Sequence, residues 1–151
     1  MVVPGLYGYV SATKWVTDIE LTTLDEQAYW ITRGYAQQAP IKISSRIDTP
    51  KPLASLPAGT VAIAGVAWAQ TTGIASVEVS IDDGDWQPAE LAGEAGLDTW
   101  RQWFLRWDAE PGSHRITVRA TDKAGVVQTD TRRPIYPDGA TGQQQLLVTV
   151  T

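Results

Sequence analysis

Lys14 closes a run whose residue types could hold an anion. Pro4-Gly5-Leu6-Tyr7-Gly8-Tyr9-Val10-Ser11-Ala12-Thr13 leads into Lys14-Trp15 within the first fifteen residues. Gly5 and Gly8 permit close backbone approach to a ligand, or simply make turns. An ammonium on a flexible stem suits a phosphate or another anionic group as a point charge. Taken alone, a lysine in such a place is more often solvated.

Other chemistry-bearing residues are sparse. There is no cysteine, which removes disulfides, thiolate metal ligands and thiol nucleophiles together without fixing the compartment. His114 is the only histidine, and its place after Pro111-Gly112-Ser113 predicts a solvent-exposed turn. Alone it supports neither a histidine metal site nor a Ser/His/Asp triad. Asp82, Asp83 and Asp85 surround Gly84. Their spacing lacks the alternate ligands and distal glutamate of an EF-hand loop, and hairpin chemistry accounts for them, with Asp-Gly supplying positive φ. Arg132-Arg133 before Pro134 reads as a solvated basic spot.

The tryptophans are more pointed. Trp103, Leu105 and Trp107 fall on one face of a strand pattern over residues 99–107, with Trp100 and Phe104 on the other. One face fills a core. The second face, with Trp100 and Phe104, is either an interface, a sugar-stacking platform, or a surface covered within the chain.

These residues must be positioned by one ordinary domain, since 151 residues with 43% apolar content suffice for a real core. The net charge of −5 disfavours a nucleic-acid partner, which needs a basic face. No apolar run approaches the ~20 residues that span a bilayer, so this stretch inserts no helix in a membrane. Val2-Val3 is followed at once by Pro4-Gly5, with no signal-peptide pattern.

Residues 14–22 alternate apolar and polar and predict a half-buried strand, with Asp18 and Glu20 on one face. A short helix is expected at about 25–33, capped by Thr23 or Asp25 and ended by Gly34. Residues 48–59, with Pro50, Pro52, Pro57 and Gly59, read as a connecting loop. Short strands follow, divided by turns at Asp82–Asp85 and Thr121–Gly125. Val61–Trp68, Ser76–Ile81, Trp86–Leu91, the 99–107 segment, Ile116–Ala120 and Leu146–Val150 give the spacing of an antiparallel sandwich.

The order of these segments resembles the C-terminal third of bacterial sulfite oxidase family enzymes, across nearly the full chain. The Pro4-Gly5-x-x-Gly8 start leading to Lys14-Trp15 carries the resemblance. So do Tyr29-Trp30, Lys42–Ile47, Gly65-Val66-Ala67-Trp68, Val77–Gly84, Thr99–Trp103, Gly112–Gly125 and Asp138–Gly142. It implies a mainly β fold: an immunoglobulin-like (E-set type) antiparallel β-sandwich with a short N-terminal segment and one short helix. It implies that residues 1–23 end a molybdopterin-binding catalytic domain, 24–40 connect through a short helix, and 41–151 form an Ig-like dimerisation domain. Lys14, Gly8 and Ser11 would then touch molybdopterin in the parent enzyme, and Trp100, Phe104 and Trp68 would lie in an interface. The partners implied are the parent's catalytic domain and a second copy, and the parent would be extracytoplasmic or membrane-attached. That family ligates molybdenum through a cysteine, which this chain lacks, so the chain alone is expected to be non-catalytic. A stand-alone Ig-like module binding carbohydrate or protein is the alternative. Two departures stand out. Gly8 to Lys14 is one residue longer than in many members, and Gly142-Gln143-Gln144-Gln145 differs from the family's usual tail.

Overall fold

A computed structural model describes residues 1–151. Contacts divide the chain into two compact units. One comprises Met1–Lys42 with Arg133–Thr141, and the other Ile43–Arg132 with Gly142–Thr151.

The second unit is the sandwich. Its strands are β1 (Ser44–Thr49), β2 (Ser55–Leu56), β3 (Gly59–Trp68), β4 (Ile74–Ile81) and β5 (Gln87–Pro88), then β6 (Glu90–Leu91), β7 (Arg101–Ala109), β8 (Gly112–Asp122) and β9 (Gln144–Val150). One sheet has the order β1-β3-β7-β6 and the other β2-β9-β8-β4-β5. The pairings are antiparallel except β2 with β9. The chain changes sheets within a few residues: Gln87–Pro88 pairs with β4, and Glu90–Leu91 pairs with β7.

Period-two alternation explains the core. Ile63, Ala67, Trp103 and Trp107 from one sheet face Val77, Val79, Ile116, Val118, Ala120, Leu146, Val148 and Val150 from the other, and all are buried. Each large aliphatic side chain so buried contributes about 1.5–3 kcal/mol over exposure. This is the immunoglobulin-like β-sandwich that the sequence implied.

Local details differ from expectation. The turn after β4 has its left-handed residues at Asp82 (φ 53) and Asp83 (φ 60), not at Gly84. The Gly84 N–H donates to the Ile81 carbonyl at 2.9 Å, so both central residues are left-handed, the I′ pattern of a tight hairpin turn. Aspartate tolerates this conformation because its short side chain bonds locally, and Asp82 accepts the Arg115 N–H at 2.7 Å. The expected loop at 48–59 contains the end of β1 and all of β2.

The first unit departs further. It holds a four-residue helix, α1 (Gly8–Ser11), and one 3₁₀ turn (Ile31–Arg33). No strand forms over 14–22. Trp15, Ile19 and Leu21 are 92%, 74% and 99% exposed. Alternation alone does not make a strand, since its backbone groups need a neighbouring edge. The helix expected at 25–33 shrinks to the 3₁₀ turn, which Gly34 ends at φ 89 as expected. Nucleating so short a helix costs more than a few bonds return, and its β-branched and aromatic residues are weak formers. No helix is long and apolar enough to cross a membrane.

Candidate functional site

The residues singled out near the N-terminus have different surroundings. Ser11 is buried, and its hydroxyl donates to the Leu6 carbonyl at 3.0 Å. Gly8 opens α1 and lines an apolar hollow. Lys14 is exposed and makes no hydrogen bond or ion pair. Of the three, only Lys14 has a free side-chain polar group to offer an anion. The chain holds no group of three or more His, Cys, Asp or Glu side chains placed for a metal.

Around Gly8 the first unit is aromatic. Tyr9 and Tyr35 rings lie 5.0 Å apart, Trp30 and Tyr35 5.6 Å, and Tyr35 and Tyr136 5.2 Å. The Tyr9 hydroxyl donates to the Ala36 carbonyl at 2.9 Å. Burial, and secondarily the Asp138 carboxylate, raise the Tyr9 phenol above its ordinary value. Lys42 binds this unit together, its ammonium 3.0 Å from the Gly139 carbonyl and 3.1 Å from Asp138. None of this shows in the local sequence, because residues 133–141 join 1–42 across ninety positions.

In the sandwich, the tryptophans separate by environment. Trp103 and Trp107 are core residues. Trp86 is covered by Arg119, whose guanidinium sits 4.1 Å from its ring while pairing with Glu78 at 2.8 Å. Trp68 and Trp100 remain, with rings 5.2 Å apart, and Trp100 is 55% exposed. Arg46 stands 5.4 Å over Trp100. Register places Val66 beside Gln102 and Ala64 beside Phe104 on the outer face of the four-stranded sheet, and Trp68 and Trp100 continue that face. An open cleft of about 460 Å³ runs between Arg46, Val66, Gly93, Ala95, Trp100 and Gln102. The indole N–H of Trp68 is buried without an acceptor.

His114 is not in an exposed turn. It lies on β8 with its side chain 16% exposed. Nδ1 is 2.7 Å from Asp82 Oδ2, Nε2 is 2.8 Å from the Glu110 carbonyl, and the ring meets Trp107 edge-on at 5.0 Å. Both partners only accept, so both ring nitrogens must carry protons for both bonds to form. The bond to Asp82 chiefly raises the His114 pKa above its ordinary value. Partial burial would raise the Asp82 carboxyl, but the Arg115 N–H and the His114 ring hold it below its ordinary value.

Gln128 escaped the sequence reading, though a lone amide after Val126-Val127 was a visible signal. It is buried. Its Oε1 accepts from the Ser45 hydroxyl at 2.6 Å and the Ala120 N–H at 3.2 Å, and its Nε2 donates to the Gly142 carbonyl at 2.9 Å. Gln143 donates to the Gln128 carbonyl, and Gln144 accepts the Ile47 N–H at 2.6 Å. Gln128 and the unusual tail together link β1, β8 and β9 through glutamine amides. Gln128→Ala should cost roughly 2–3 kcal/mol by leaving buried groups unpaired. Urea unfolding of the chain checks this.

The architecture defines an immunoglobulin-like β-sandwich, and residues 44–118 match the family described as bacterial Ig domain. The likeness to longer proteins reaches beyond those residues. Sulfite oxidase of Gallus gallus is 26% identical over 90% of this chain and 35% of its own length. The crystal structure of the sulfane dehydrogenase SoxCD from Paracoccus pantotrophus is 26% identical with a TM-score of 0.63, covering 73% of this chain and 31% of that one. The endo-β-1,4-mannanase of Thermotoga petrophila shares the fold alone, at 11% identity and a TM-score of 0.50 over 74% of this chain and 20% of that one. The chain corresponds to the C-terminal, Ig-like part of sulfite oxidase-type enzymes. It spans about a third of the length of the relatives it matches.

Proposed function

We propose that this chain is the C-terminal structural portion of a bacterial molybdenum-cofactor oxidoreductase, and that its sandwich joins two copies. The observation that carries the reading is the reach of the likeness to sulfite oxidase. It covers 90% of the chain, where the Ig family covers residues 44–118 alone. The first unit is thus part of the resemblance. Its exposed Trp15, Ile19, Leu21 and Leu24 support a neighbour that covers them. That neighbour is the catalytic domain, which residues 1–23 would complete.

In the whole enzyme the molybdenum cofactor would supply oxygen-atom transfer at its metal. Lys14 would offer its ammonium to that anionic cofactor. Gly8 allows close backbone approach, and Ser11 fixes the local chain through Leu6. No residue here supplies a thiolate, so the chain alone turns over no substrate. Reading the coding frame upstream of residue 1 tests this. A continuous frame with a cysteine in a pterin-binding setting supports the proposal, and a true start there removes it.

Trp68, Trp100 and Phe104 would form the contact between copies. Sedimentation at two concentrations should show mass rising with concentration, and Trp100→Ala should abolish the rise. A monomer at high concentration removes dimerisation by the chain itself. The paired Trp68 and Trp100 rings favour a second reading, a sugar-stacking surface. A saturable change in tryptophan fluorescence with oligosaccharides would favour it over the dimer.

A further inference from the structure

The hollow in the first unit encloses about 430 Å³ between Tyr7, Tyr9, Trp30, Tyr35, Ile135 and Ala140. Its shape is held by glycine: a methyl group at Gly139 would overlap the Tyr7 ring. Two of the wall's hydroxyls already take part in bonds to the main chain. Tyr9 donates to Ala36, and the Tyr7 hydroxyl accepts the Lys42 N–H at 3.4 Å. The lining carries no cationic side chain to pair with an anion. A cation would meet aromatic faces, which attract it, but no carboxylate lines the hollow to neutralise it. A neutral apolar group is left as the fitting occupant.

The apolar surface does not stop at the rim. Tyr29, Trp30, Ile135 and Tyr136 are 61%, 42%, 66% and 50% exposed. Trp30 touches Tyr29 at 5.0 Å, and Tyr35 links Trp30 to Tyr136. A hollow set in a wider apolar surface fits a protein face that inserts one anchoring side chain. The chain matches only about a third of each relative's length. We infer that the hollow is a socket for one aromatic or branched aliphatic side chain from the adjoining catalytic portion, a reading that rests on the proposed function.

Toluene can stand in for that side chain. Titrated into the chain, it should saturably shift the Trp30 indole resonance at millimolar concentration, with nuclear Overhauser contacts to the Tyr9 and Tyr35 rings. Tetramethylammonium should not. Ala140→Phe, which fills the hollow from within, should weaken toluene at least tenfold while keeping the melting temperature. Loss of the toluene shift, equal binding by the filled variant, or preference for tetramethylammonium would each overturn the socket. Should Ala140→Phe not fold, the contacts to Tyr9 and Tyr35 in the unaltered chain still decide. Any of these failures leaves the upstream-frame test untouched. A true start at residue 1 would instead remove the catalytic portion as the source of the side chain, even with toluene bound.

Discussion

Gly65→Ala should destabilise the sandwich by about 3 kcal/mol, the upper range for forcing atoms into a packed core. Gly65 sits mid-strand in β3, opposite Ile47 of β1 and Trp103 of β7. A Cβ there would overlap the main-chain carbonyl of Arg46 and stand 3.0 Å from Trp103 Cζ2. The first obstacle is backbone, so no side-chain rotation relieves it. Either β1 separates from β3 or the tryptophan leaves its place in the core. Gly93→Ala is the control, since a methyl group there would meet nothing within 4 Å and the backbone φ is not left-handed. It should fall within about 0.5 kcal/mol of the parent chain. Urea midpoints for the two variants compare them directly, and a Gly65→Ala midpoint equal to that of Gly93→Ala would remove the close-approach argument.

The second large effect is on pH dependence. His114 has a folded pKa raised above its ordinary 6.5, so the stability it contributes is fully present below 6.5 and is lost as pH rises through the folded value. Asp82 has a folded pKa below its ordinary 3.8, so its contribution is present above 3.8 and is lost as pH falls through the folded value. The pair is therefore strongest between 3.8 and 6.5. Charge-assisted bonds of this kind are worth roughly 1–3 kcal/mol, and the half-exposed Asp82 argues for the lower end, about 1 kcal/mol. The melting temperature should fall by a few degrees as pH rises from about 6 to 9. His114→Gln should lower it at pH 5 and flatten that fall. An unchanged slope in the variant would assign the dependence to other groups.

Both effects reside in the sandwich, where the sequence was most readable. Val77, Val79, Ile116 and Val118 alternate with polar neighbours because each strand has one face inward, and that period survives in any register. The turn at Asp82–Gly84 was placed correctly, while its left-handed residues were not. Their carboxylate bonding reaches Arg115 and His114 thirty residues away, and local turn chemistry does not show it. The first unit was opaque for a related reason. Trp15, Ile19 and Leu21 have strand periodicity but no edge to pair with, and the contacts of Tyr9, Trp30, Tyr35 and Tyr136 follow no period. Trp100 and Phe104 were read as a face apart from the core, and they lie with Trp68 on the outer face of the four-stranded sheet. Lys14 is exposed without a partner, and its role rests on the catalytic portion proposed above.

The strand order has a bearing on biosynthesis. β9 comes last of the strands, yet it lies between β2 and β8, in the interior of its sheet. Until it arrives, β2 has no neighbour, β8 has an open side, and the inner faces of Val118 and Ile116 lack Leu146 and Val148. Translation through residue 150 is thus a condition for closing the sandwich. A chain stalled or clipped before Gln144 should remain open to proteases.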